Sequence, residues 1–316
     1  MKYFLVLFIS VLAVTGCDNG DLIVESFNFE NATIQKCTDA NVLYKISAQE
    51  ALVLTIPETN FENAETPANT PRVVTITGTT SIKYRKYSGT PTAATICGTP
   101  TLSVLEEWDA IGGTVEITTV KILGTDNTTV IGYNHNIVFK NVTFNTPDKQ
   151  VVYDSYEFGN YRTDVIDLDF DYASAATQNC GGNNLIFKYN TNNALLLDVD
   201  QSLFANAATP VGSPRTALIN TTTNKVVYRV YSGGLNINYF CSAITPATPT
   251  LTEEWVAEDG IASTSGIITV DTEATIDPNV FKHTIRLYKT TFKKGIYKYS
   301  PVPNDYYTFG VYYTTL

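Results

Sequence analysis

Short runs of β-branched and aromatic residues, broken by Gly, Pro, Asn and Thr, recur along the chain once its first two dozen residues are past. In the first half they lie at 42–46, 51–56, 72–77, 81–87, 115–123, 136–144 and 151–156. Such residues suit a pleated, half-buried surface, and the turn formers between them end each run, so each run is predicted as a strand. Between 165 and 172, Ile166, Leu168, Phe170 and Tyr172 alternate with Asp167, Asp169 and Asp171, the period of a strand with one wet face. No window carries a 3.6-residue stripe. The pattern predicts an all-β protein built of antiparallel, sandwich-like domains. One transmembrane β-barrel is the rival reading.

The pattern is also written twice. At an offset of 143, Phe27 matches Phe170, Cys37 matches Cys180, Lys45 matches Lys188, Phe61 matches Phe204 and Arg72 matches Arg215. Further on, Tyr84-Arg85-Lys86-Tyr87-Ser88-Gly89 faces Tyr228-Arg229-Val230-Tyr231-Ser232-Gly233, and Glu106-Glu107-Trp108 faces Glu253-Glu254-Trp255. His135 faces His283, and Asp154, Tyr156, Phe158 and Gly159 face Asp305, Tyr307, Phe309 and Gly310. Two tandem homologous domains, 22–163 and 164–316, are therefore expected, and a period this long suits whole domains better than solenoid repeats. Repeats that each hold their own cysteines disfavour a single barrel. No Gly/Pro/Ser linker separates the two, so they are expected to touch.

Met1-Lys2 and the apolar run 3–14 read as a removable signal peptide over 1–16, too short for a permanent spanning helix. The run ends in Val14-Thr15-Gly16-Cys17, which resembles the lipobox of bacterial lipoproteins. That resemblance implies cleavage before Cys17, acylation of its thiol and a membrane anchor, with 17–21 as a short tether. The lipobox, the Thr/Asn/Tyr-rich β composition and the duplicated unit together resemble uncharacterised surface lipoproteins of the Bacteroidota. This implies an outer-membrane location, lipid-anchored and facing the cell exterior, and work as a binding module or membrane-protein partner.

Composition narrows the function. With 21 Lys+Arg against 31 Asp+Glu, a net charge of −10 excludes nucleic-acid binding through phosphate neutralisation. Beyond Cys17, four cysteines allow three pairings. The repeat favours Cys37–Cys97 and Cys180–Cys241, one bridge per domain, as an oxidising compartment permits. No CxxC pair points to a metal.

Catalytic material is scarce. The two histidines are read as strand-edge residues without a metal or triad partner. Glu106 and Glu107, adjacent on a strand, point to opposite faces and cannot flank one glycosidic bond. Trp108 and Trp255 are read as buried beside the disulfides, with exposure as sugar or protein contacts the functional alternative. Asp167, Asp169 and Asp171 are a weak calcium candidate, no other cofactor being indicated. Tyr306, Tyr307, Tyr312 and Tyr313 crowd the C-terminus as a candidate aromatic binding surface. The expectation is a non-catalytic interaction module, an accessory subunit of an outer-membrane barrel complex for transport, secretion or protein assembly. A surface glycan-binding lipoprotein is the alternative.

Overall fold

A computed structural model of the chain describes residues 27–99, 101–181 and 184–316. The leader 1–16, Cys17 and the tether 17–21 lie outside the described residues. The protein is all-β, with antiparallel pairing throughout. The first unit contains β1 (Gln35–Lys36), β2 (Val42–Ser47), β3 (Glu50–Thr55), β4 (Arg72–Thr75), β5 (Ser81–Tyr87), β6 (Val104–Leu123), β7 (Val130–Asn145) and β8 (Gln150–Asp164), with a one-turn helix α1 (Ala93–Cys97). Their order is β1-β2-β3-β5-β6-β7-β8, and β4 lies along β6.

β6 is long because it serves two layers. Its first half pairs with β5 and its second half, Thr114–Ile117, with β4. Between them the ladder to β7 slips on both sides of Gly112. Gly113 sits at φ +113°, where a Cβ would lie 2.7 Å from the Asn141 carbonyl oxygen and from Val142 Cα. Only glycine fits there, and the ribbon folds over at this point. Leu52, Leu54, Ile82, Tyr84 and Trp108 then pack with Val115, Ile117, Ile137 and Phe139 in one core.

The second unit contains β9 (Gln178–Asn179), β10 (Leu185–Tyr189), β11 (Asn193–Asp198), β12 (Arg215–Leu218), β13 (Lys225–Tyr231), the one-turn helix α2 (Ile237–Cys241), β14 (Leu251–Ala257), β15 (Ile267–Ala274), β16 (Val280–Tyr288), β17 (Phe292–Lys294), β18 (Tyr297–Tyr299) and β19 (Tyr306–Thr315). One layer runs β18-β17-β14-β13-β11-β10-β9 and the other β12-β15-β16-β19. Where β6 bends, this unit breaks its strand into β14 and β15. The intervening loop is drawn tight by Gly260, whose Cβ would stand 2.2 Å from the Gly266 carbonyl oxygen. Leu195, Leu197, Tyr228 and Trp255 meet Ile268, Val270, Ile285 and Leu287 in a second core.

β3 reads Ala51-Leu52-Val53-Leu54 without alternation because both its faces are covered. Leu52 and Leu54 enter the main core, while Ala51 and Val53 join Tyr44, Tyr87 and Cys37 in a smaller cluster beneath α1. The bridge Cys37–Cys97 (Cα–Cα 5.5 Å) pins that helix down, and Cys180–Cys241 (5.1 Å) does the same for α2.

Two expectations change. The segment 165–172 is not a strand: its acids are exposed and Leu168 and Tyr172 are buried, but no neighbouring strand pairs with it. β6 also begins at Val104, not 115, because Gly112-Gly113 reads as a break and acts as a bend.

The units meet at a narrow joint. The Glu62 carboxylate takes ion pairs from Lys293 (2.6 Å) and Lys298 (3.0 Å), and the Asn63 N–H donates to the Ile296 carbonyl at 2.9 Å. Ile296, in the β17–β18 turn, is 2% exposed.

The bridges give the first prediction. Each closes a loop of about 60 residues, worth roughly 4 kcal/mol in the chain-entropy model. Cys37→Ser with Cys97→Ser should lower the denaturant midpoint and steepen the slope, since the unfolded chain loses its cross-link. An unchanged midpoint would remove the bridge from the stability of this unit.

Candidate functional site

Five polar residues form one hydrogen-bonded motif in each unit. Arg72 Nη1 donates to Thr119 Oγ1 at 2.6 Å, and the Thr119 hydroxyl lies 2.8 Å from His135 Nδ1. His135 Nε2 lies 3.0 Å from Thr163 Oγ1, which donates to Asn63 Oδ1 at 2.5 Å. In the second unit Arg215, Thr272, His283, Thr314 and Asn206 repeat the chain link for link. Because arginine only donates, each threonine hydroxyl beside it is left to donate to Nδ1, and Nε2 carries the ring proton. The chain thus has one direction and a neutral imidazole at its centre.

Both histidines are completely buried, His135 on β7 and His283 on β16, each strand paired on both sides. This corrects the strand-edge reading. Burial, followed by the nearby guanidinium of Arg72 or Arg215, lowers each imidazole pKa from 6.5 to about 4. Neither ring reaches solvent, so the motif orders the core.

The remaining candidates separate. Trp108 and Trp255 are 4% and 0% exposed and so are not surface contacts. Nor do they lie beside the disulfides: they face the main cores, against Tyr84 and Tyr228 respectively, on the opposite side of the layer from the bridges. Each indole N–H donates to the glutamate two residues earlier, Glu106 (2.7 Å) or Glu253 (3.0 Å). Glu107, on the other face, binds Lys83 (2.9 Å) and Arg85 (2.5 Å), and these cations hold its carboxyl below the usual range against the opposing effect of burial. Asp167, Asp169 and Asp171 point to solvent, and Asp169 accepts from Asn193 at 3.2 Å. Among the described residues, no three His, Cys, Asp or Glu side chains come together as a metal site.

The C-terminal tyrosines divide by face. Tyr307 donates to the Phe170 carbonyl and packs on the core, and Tyr312 lies edge-on to Phe204. Tyr306 and Tyr313, 45% and 57% exposed, stand on the outer face of the β12-β15-β16-β19 layer. Tyr288, across from Tyr306 on β16, brings its ring to 4.7 Å.

Sequence reasoning missed a buried lysine. Lys45, 3% exposed, donates from Nζ to the Phe158 carbonyl at 3.0 Å, and burial lowers its pKa. Phe158 is the extra residue of a bulge in β8, so its carbonyl lies off the ladder. Lys45 forms part of the wall of a cleft of about 620 Å³, with Glu30, Ser155, Glu157 and Asn160. The matched Lys188 donates to the Tyr172 carbonyl at 3.0 Å. The pairing Lys45/Lys188 was legible in the repeat, but a lysine on a strand reads as solvated until its cover is known.

Compared with known protein families, curated proteins and solved structures, the chain matches none.

The histidine chains set a pH dependence. An imidazole whose folded pKa is depressed contributes its full stability above about pH 6.5, and this is lost as pH falls towards about 4. The free energy of unfolding should decline through that window, and His135→Gln with His283→Gln should flatten the decline. Equal slopes for the two proteins would contradict a buried neutral ring.

Proposed function

We propose that this chain is a non-catalytic lipoprotein of the outer membrane, anchored through Cys17 and facing the cell exterior. Its β units bind an outer-membrane protein, as an accessory subunit of a barrel-containing machine for transport, secretion or protein assembly. The observation that carries this reading is the outer face of β16 and β19. There the rings of Tyr288 and Tyr306 pack together at a tilt and Tyr313 stands open, on a layer whose other side is fixed in the core. Tyrosine offers a large contact area with a polar tip at small entropic cost, which favours it at protein interfaces. The His, Trp and Glu candidates for chemistry are, by contrast, engaged in internal bonds. Glycan binding is the second reading, favoured by the cleft beside Lys45, whose carboxylates, hydroxyl and amide suit a polyol.

A photocrosslinker placed at Tyr313 in intact cells should recover, in near-equal amount, one outer-membrane protein other than a second copy of this chain, and Tyr288→Ser with Tyr306→Ser should weaken that recovery several-fold. An intact, surface-exposed bait that recovers no protein, yet binds polysaccharide on an array, would transfer the function to the cleft. Separately, globomycin should cause the uncleaved precursor to accumulate. Normal processing under globomycin would remove the lipid anchor from the proposal.

A further inference from the structure

We propose that β19 pairs with the β19 of a second copy of this chain, antiparallel and about a two-fold axis, so that two four-stranded layers become one continuous sheet.

β19 is the last strand of its layer, with β16 as its one strand partner, and Asn206 caps its far end at Thr314 and Thr315. The strand reads Tyr-Tyr-Thr-Phe-Gly-Val-Tyr-Tyr-Thr-Thr, ten residues without a charge, and the edge considered is the stretch from Tyr306 to Tyr313. Exposed edges invite pairing with another chain, and charged side chains are the usual protection. The first unit has that protection: its edge strand β8 carries Asp154, Glu157, Arg162 and Asp164. At the matched places β19 has Thr308 for Glu157, Tyr313 for Arg162 and Thr315 for Asp164, while Asp305 lies just before the strand.

The occupant follows from the order of residues. From Tyr306 to Tyr313 the strand reads nearly alike from either end. Antiparallel pairing centred between Phe309 and Gly310 sets Tyr306 opposite the partner's Tyr313, Tyr307 opposite the partner's Tyr312, and Thr308 opposite the partner's Val311. The faces agree as well. Tyr306, Thr308, Val311 and Tyr313 pair with Tyr288, Arg286, Thr284 and Lys282, which all lie on the outer side of β16. Tyr307 and Tyr312 face inward.

The bulge makes the match specific. β19 carries an extra residue at Phe309, where its register to β16 slips, so its outward positions change parity halfway along. A regular strand would follow one half and be out of phase in the other. A second β19 brings the same extra residue to the same point, and both halves stay in phase. A self-complementary patch of this kind is what a two-fold dimer requires. The seam also places the partner's Tyr313 beside Tyr306 and widens the aromatic face.

The test uses the full chain in detergent, with no other protein present, and is therefore independent of the partner proposed above. Residues directly opposite in an antiparallel pair have Cβ atoms about 4.5–5.5 Å apart, near enough for a disulfide after small adjustment. Tyr306→Cys with Tyr313→Cys should give a covalent dimer on a non-reducing gel under mild oxidation. Tyr306→Cys alone, which places no two new thiols opposite, should stay monomeric. A double variant that remains monomeric, or a single variant that dimerises equally well, would overturn this register.

A charge exchange guards against misfolding. Thr308→Lys with Val311→Lys sets like charges opposite one another and should sediment as a monomer, as should Thr308→Glu with Val311→Glu. An equimolar mixture of the two should recover the dimer. Sedimentation of the unaltered chain as a monomer at tens of micromolar would overturn the proposal outright.

Discussion

The buried run from arginine through threonine, histidine and threonine to asparagine is the constraint on which each unit depends. It ties β4, β6, β7 and β8, and the loop holding Asn63, to one another through a half-buried Arg72 and four buried groups. A polar group buried without a partner costs about 1–3 kcal/mol, so a chain of five has to be completed in full or not at all. Completion fixes the depth at which β4 lies on β6 and the distance between β7 and β8. It also fixes Asn63, whose Nδ2 donates to the Asp164 carbonyl and whose backbone N–H meets the second unit at Ile296. The interior of the first unit and its joint to the second thus share one residue.

The second unit completes the same chain through Asn206, with different surroundings. Asn206 Nδ2 donates to the Thr315 carbonyl, as Asn63 does to Asp164. Where Glu62 precedes Asn63 and draws Lys293 and Lys298 across the joint, Ala205 precedes Asn206. The interior motif is therefore kept in both places, while the residues around it serve contact in one and exposure in the other.

Much of the architecture was legible in the residues. The strands around 42–46, 51–56 and 81–87 appear where β-branched and aromatic runs between turn formers put them, and both disulfides join the cysteines that the repeat pairs. The departures have local causes. Glycines that end a strand and glycines that bend one look alike in sequence, which hid the first half of β6. Asp167, Asp169 and Asp171 alternate as a strand would, but alternation reports burial of one face and says nothing of a neighbour to pair with. His135 has no polar neighbour at ligand spacing in sequence because its partners lie 16 and 28 residues away. The surface tyrosines could not be sorted by face, since the bulge at Phe309 reverses the parity of everything after it.

The start of the described chain has a mechanical consequence. Phe27 lies against Tyr84, Phe144 and Tyr153, and its N–H donates to the Tyr153 hydroxyl. Phe29 is 1% exposed and donates likewise to Tyr156. Under the lipid-anchor reading, the ten steps from Cys17 to Phe27 span at most about 35 Å, a leash much shorter than the chain it holds. Any drag on the protein would pass along that leash into an aromatic plug and not into a strand ladder. Rupture under load would then begin with extraction of Phe27 from the core, before any sheet is unzipped.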